Sequence, residues 1–278
     1  MHASGPASVV TAAADATPAV EEIGPPPRSR SKVWLVRLIA VVMIVGAWEI
    51  LGRRINPLFM SYPTAICQAA VVMISSGELL TALRSSLLTL LAGFVTASVL
   101  GVTLGLLIGR YRYVDAATDW LVNALYATPL VALIPLVILW FGLGDLAKLF
   151  IVSILAVFPI LINTAAGVRN VPQSLIDVGV AFAANERQTF LKIILPAVLP
   201  YMMTGLRLGI GRAIIGMVVA EFFTAITGLG ALIVKYGNQY DTASMFVPIL
   251  ILMVLGVTLT SLVRRIEDLF APWRAHDE

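Results

Sequence analysis

The chain has 278 residues, of which 59% are hydrophobic and only 13% charged, and its mean hydropathy is +0.93. A soluble domain carries roughly twice that charge, and a water-soluble fold of this length cannot hide so much apolar surface. The apolar residues fall in blocks long enough to cross about 30 Å of hydrocarbon as a helix, so the composition predicts an all-α, polytopic membrane protein.

Residues 1–32 are rich in Ala, Pro, Ser and Gly and read as a disordered cytoplasmic tail. The first apolar block starts near Val33, behind Arg28, Arg30 and Lys32, and is expected to act as an uncleaved anchor with the N-terminus inside. The membrane domain is expected over residues 33–270, with 271–278 a short cytoplasmic C-terminal tail. Six spanning helices are predicted, at 33–51, 85–109, 119–141, 146–166, 200–227 and 245–264. An outer segment with Pro57 and Pro63 lies between the first two, and a polar-interrupted loop covers 167–199.

Charge orients this set. With both termini inside, 14 Lys and Arg residues fall on the cytoplasmic side and 5 (Arg53, Arg54, Arg84, Lys148, Lys235) on the outer side, the asymmetry expected of cytoplasmic loops. The net charge of +3 therefore calls for no nucleic-acid partner; the expected surroundings are lipid, in the plasma (inner) membrane. Gly101, Gly105 and Gly109 form a small-residue stripe in the second helix, and Gly205 and Gly209 another in the fifth. Pro129, Pro135 and Pro159 are expected to kink the third and fourth helices. His2 and His276 sit at the two ends, which argues against histidine catalysis or an intramembrane metal site. Cys67 stands alone and allows no internal disulfide.

The loop 167–199 is the most informative stretch. Ser174 followed by Asp177 fits a capped helix start. Leu175, Val178 and Phe182 then fall on one face. A short helix with an apolar face held outside the membrane must fold back on the bundle or dock into a partner. Asp177 has two open readings, a helix cap and a partner contact.

This segment resembles the cytoplasmic coupling loop of ABC-type importer permeases. That signature runs Glu-Ala-Ala, three residues, Gly, nine residues, then Ile-x-Leu-Pro. Asp177, Val178 and Gly179 occupy the triplet, Ala183 the glycine position, and Ile193, Ile194, Leu195 and Pro196 the end. The spacing matches; the residues depart at the triplet and at Ala183. Leu195–Pro200 followed by Gly205–Gly209 resembles the family's entry into the fifth helix. Tyr62-Pro63-Thr64 resembles its outer segment, and Ala220-Glu221-Phe222 with Gly228-Leu229-Gly230 is similar to the branch importing sulfonates, taurine and nitrate.

The resemblance implies a coupling helix, between the fourth and fifth spans, that docks in a separate ATPase subunit. That ATPase would hold the ATP and Mg. It also implies a second permease copy, giving a homodimer in the simplest case, and a solute-binding protein outside the membrane. No Gly precedes any of the four lysines, so the chain has no phosphate-binding loop and is expected to be non-catalytic. The solute expected from the branch is a small oxyanion; a pyrimidine or aromatic carboxylate is the alternative.

Four ionisable residues are candidates for the pathway. Glu49 and Glu221 lie in apolar helices, either as gate residues or as interfacial caps. Arg207 and Arg212 stand near the predicted cytoplasmic start of the fifth helix, either snorkelling to lipid phosphates or attracting an anion at an exit. A self-sufficient secondary transporter would need paired charges or broken helices at mid-membrane. An intramembrane serine protease would need a serine–histidine pair in the bilayer.

Overall fold

The computed structural model describes residues 30–270, so the two tails read from the sequence lie outside the described residues apart from Arg30–Lys32, which open the first helix. Contacts divide the chain into two compact units, residues 1–46 and 47–278. The described part of the first is the apolar N-terminal stretch of α1 (Arg30–Arg54). All other elements belong to the second.

In chain order these are α2 (Pro63–Ser75), α3 (Glu78–Arg110), α4 (Arg112–Ala127), a 3-10 turn (Leu130–Leu133), α5 (Ile134–Phe141), α6 (Asp145–Arg169), α7 (Gln173–Ala181), α8 (Glu186–Thr189), a π turn (Phe190–Ile194), α9 (Leu195–Thr224), α10 (Leu229–Asn238) and α11 (Thr242–Phe270). Among the described residues five helical stretches are long and apolar enough to cross a membrane, and six if the bent pair α4–α5 makes one span.

Helix α6 is the centre, with α3 and α9 packed on either side. The buried positions of α3 run Leu79, Ala82, Ser86, Leu90, Gly93, Ala97, Gly101, Gly105 and Ile108, a single stripe at helical spacing. Its glycines meet bulky residues of α6. A Cβ built on Gly93 would lie 2.5 Å from Val152, one on Gly101 2.8 Å from Ile160, one on Gly105 2.6 Å from Thr164, and one on Gly109 2.6 Å from Val168. On the other side a Cβ at Gly209 would lie 2.7 Å from Ile160, and one at Gly216 3.2 Å from the Val152 Cα. Ile160 is thus wedged between Gly101 and Gly209. In lipid, where the hydrophobic effect does not drive helices together, such close backbone approach is the main source of attraction. Ser153 adds an interhelical bond by donating to the Gly93 carbonyl at 3.1 Å.

Several expectations are corrected here. The predicted third span, 119–141, is two helices bent by 84° rather than one kinked helix. Pro129 has no N–H to continue α4, and Thr128 before it is extended (ψ 135°). Pro135 lies in the first turn of α5, where a missing N–H does no harm. The segment expected between the first two spans holds α2 and the first seven residues of α3. The predicted fifth span, 200–227, belongs to an apolar helical stretch running from Glu186 to Thr224. Pro200 lies inside α9 rather than at its boundary, and Pro196 follows the π turn. Pro159 is accommodated within a continuous α6.

Replacing Gly101 by Val should overpack Ile160 and lower stability by about 1–3 kcal/mol. Gly211→Ala, which meets nothing within 4 Å, should be neutral or slightly stabilising. Thermal unfolding of the detergent-solubilised chain checks both.

Candidate functional site: a buried polar latch and an exposed loop helix

Two ends of the second unit carry the chemistry. One, the hairpin end, holds the α9–α10 connection and the starts of α3 and α6. The other, the loop end, holds α7, α8 and the π turn.

At the hairpin end Glu221 is fully buried one turn before the end of α9. Ser86 of α3 donates to its Oε1 at 2.6 Å, and the Gly230 N–H donates to Oε2 at 2.8 Å. The Leu229 N–H in turn donates to the Ser86 hydroxyl at 2.8 Å. Two N–H groups at the start of α10 are therefore held by one carboxyl group and one hydroxyl, placed at the positive end of the α10 dipole. Lys148 of α6, 1% exposed, supplies the nearby positive charge and donates to Thr227 Oγ1 at 2.7 Å. Ser85 donates to the same Thr227 oxygen at 3.2 Å. Gly228 is required here twice over. Its φ is +106°, and a Cβ would lie 2.1 Å from the Glu221 carboxylate.

Above this cluster a cavity of about 550 Å³ is lined by Ser85, Thr227, Gly228, Glu78 and Lys235 among others. Glu78 accepts from Lys235 at 2.5 Å and from the Tyr236 hydroxyl at 2.7 Å. That bond holds the Lys235 ammonium above its ordinary pKa, so the cation persists. Glu49 is a cap: its carboxylate accepts from the Thr64 N–H at 3.0 Å, the Thr64 hydroxyl at 2.8 Å and Arg53 Nε at 2.6 Å, tying the end of α1 to the start of α2.

The arginines of α9 differ from expectation. Arg207 pairs with Glu267 of α11 at 3.2 Å. Arg212 is not near the start of a span. It lies between Gly209, which packs on Ala156 and Ile160, and Gly216, which packs on Val152. That places it level with the middle of α6, at membrane depth. It is exposed on the second unit and has no ion-pair partner among the described residues.

At the loop end the predicted helix exists, but without the predicted cap. α7 begins at Gln173 after Pro172, with no side-chain cap; Ser174 lies within it, and Asp177 accepts from Gln173 Nε2 at 3.0 Å. The true capping box is Asn185 with Gln188, at the start of α8. Leu175, Val178 and Phe182 are all exposed, Phe182 by 83%. Gly179 is the buried point, where a Cβ would lie 2.7 Å from Ile193 Cδ1. Ala183 has φ +51°, the left-handed region that favours glycine. Ile193 lies in the π turn, Leu195 opens α9, and exposed Pro196 follows in its first turn.

Residues 97–272 match the family described as the binding-protein-dependent transport system inner membrane component. A putative ABC transporter permease of Methanocaldococcus jannaschii is 33% identical over 88% of this chain and 94% of its own length. A putative aliphatic sulfonates transport permease, SsuC, of Bacillus subtilis is 32% identical over 87% of this chain and 88% of its own. The nitrate import permease NrtB of Leptolyngbya laminosa is 29% identical over 84% of this chain and 86% of its own. A crystal structure of an amino acid ABC transporter aligns over 72% of this chain and 96% of that one, with a TM-score of 0.53 and 16% identity, and so shares the fold. The chain belongs to the binding-protein-dependent transport system inner membrane component family, the membrane permeases of ABC transporters. Its similarity to sulfonate and nitrate permeases agrees with the branch read from Glu221 and Gly228–Gly230.

Glu221→Ala should leave the Ser86 hydroxyl and the Gly230 N–H without their acceptor and release the α10 start, lowering stability by about 1–3 kcal/mol for each donor left unpaired. Ser86→Ala should cost about 1–3 kcal/mol. Ala183→Gly should instead raise stability by about 1 kcal/mol by relieving the left-handed backbone. Thermal midpoints of the three purified variants check the order.

Proposed function

We propose that this chain is the translocation subunit of an ATP-driven importer. It passes a small oxyanion, such as a sulfonate, taurine or nitrate, and takes its energy from a separate ATPase that holds the ATP and Mg. In this reading both termini and the loop end are cytoplasmic, two copies pair around the path, and a solute-binding protein delivers the anion at the hairpin end. The chain itself performs no catalysis.

One observation carries the coupling role. Helix α7 turns Leu175, Val178 and Phe182 outward while Gly179 anchors it to the π turn beneath α9. An exposed apolar face on a built helix fits a groove in a partner. Asp177 and Val178 then stand at the docking surface, and Ile193, Leu195 and Pro196 form the junction that passes movement to α9.

Arg212 supports the anion. An unpaired cation at membrane depth is costly unless it faces a wet path or a partner, and a cation in a low-dielectric path concentrates anions. A relative named as a formylaminopyrimidine permease, 31% identical, keeps a pyrimidine as the second reading. Glu221 holds the hairpin end shut or open through α10, whereas Arg207, paired with Glu267, and Glu49, a cap, are assigned structural places.

Phe182→Asp should leave the chain inserted in the membrane but abolish co-purification of the ATPase subunit; undiminished co-purification counts against the docking role of α7. Arg212→Gln should lower uptake of a sulfonate or nitrate by about tenfold or more with the complex intact. Unchanged uptake would remove Arg212 from the anion path, whereas uptake of a pyrimidine and of neither anion by the unaltered complex would favour the second reading.

A further inference from the structure

A cleft of about 510 Å³ lies at the loop end, between the last turn of α3 and the α8–π turn, on no residue assigned above. Its wall is apolar, formed by Leu106, Leu107 and Phe190, and its rim carries Arg110, Arg187 and Glu186. Arg110 is the last residue of the apolar span Glu78–Arg110. The apolar wall therefore lies on the hydrocarbon side of the boundary and the arginines at headgroup level.

The rim is under-neutralised. Glu186 stands 3.7 Å from Arg110, with its side chain 95% exposed, a loose surface pair that contributes little. Arg187 has no ion-pair partner among the described residues. Two guanidinium groups over an apolar wall at the end of a span suit a ligand that is anionic at one end and aliphatic at the other. A soluble anion would leave the wall unfilled, and an uncharged lipid would leave the rim unanswered.

We propose that this cleft binds an anionic phospholipid, its phosphate on Arg110 and Arg187 and an acyl chain along Leu106, Leu107 and Phe190. Basic clefts between helices on the cytoplasmic side are suited to anionic headgroups. Phe190 is the first residue of the π turn, so a lipid seated here braces α3 against the segment joining α7 to α9. The assignment rests on the proposed orientation only for the choice of leaflet.

The test needs neither ATPase nor solute, so its failure is separate from that of the proposed function. The delipidated full-length chain is titrated with phosphatidylglycerol, phosphatidylcholine or inorganic phosphate, and bound lipid is counted by native mass spectrometry. Phosphatidylglycerol should bind in preference to phosphatidylcholine, and inorganic phosphate should not displace it. The Arg110→Gln/Arg187→Gln variant should bind it about tenfold or more weakly, whereas Glu186→Gln, which removes the competing acid, should bind it more tightly. Equal retention of the two lipids, displacement by inorganic phosphate, or undiminished binding by the double variant would overturn the proposal. So would weaker binding by Glu186→Gln, which would mark the cluster as structural.

Discussion

The wedge of Ile160 between Gly101 and Gly209 is the contact on which the rest of the unit depends. A bilayer offers no hydrophobic reward for bringing helices together, so α3, α6 and α9 are held by how closely their backbones approach. The glycines of α3 make room for Val152, Ile160, Thr164 and Val168, all on α6, while Gly209 and Gly216 make room on the other side. Once α6 is fixed, its ends place the charges. Lys148, one turn from its start, reaches the α9–α10 connection, and Arg169 at its end pairs with Asp115 and Asp119 of α4.

The two ends of the unit treat polar groups in opposite ways. At the hairpin end a buried carboxylate and a buried ammonium are tolerated because Ser86, Thr227 and the amides of Leu229 and Gly230 answer them. Buried polar groups are tolerated only when such bonds are made, so the cluster fixes one placement of α10. At the loop end the unanswered surface is apolar: Leu175, Val178 and Phe182 face outward on a helix whose Asp177 is held by Gln173. The first arrangement specifies a position within the chain. Under the proposed function, the second suits docking with another chain.

Much of this was legible in the sequence, for reasons that separate cleanly. The stripe of Gly101, Gly105 and Gly109 is local and periodic, and its function as a close-packing face needs no partner to be read. The spacing from Asp177 to Pro196 is likewise local. The bond between Ser86 and Glu221 joins residues 135 positions apart, and no period or motif announces it. The break at Pro129 was read as a kink because the apolar run continues through it; only the loss of an N–H together with an extended Thr128 decides for a break. Ser174 and Asn185 both begin plausible capping boxes. Pro172 starts α7 two residues too early for the first, while the second is satisfied in both directions. A boundary at Pro200 also misplaces Arg212, since the helix that contains it begins earlier, at Leu195.

Helix α9 carries the consequence of these placements. It joins the π turn at one end, Arg212 in the middle and Glu221 at the other end, and Gly205, Gly209 and Gly216 press it along α6. Contacts this close transmit displacement rather than absorb it, because packed helices move as units and bend only where the ladder is broken. The break nearest α7 is the π turn, where the amide of Leu195 reaches back to the Phe190 carbonyl and Pro196 has no N–H to offer. A push on α7 enters α9 through the contact of Gly179 with Ile193. At its far end α9 is tied to α10, whose first two amides are bonded to Glu221 and to Ser86. Under the proposed function, the latch at one end and the apolar helix at the other are therefore the two ends of a single lever, and α6 is the surface along which it works.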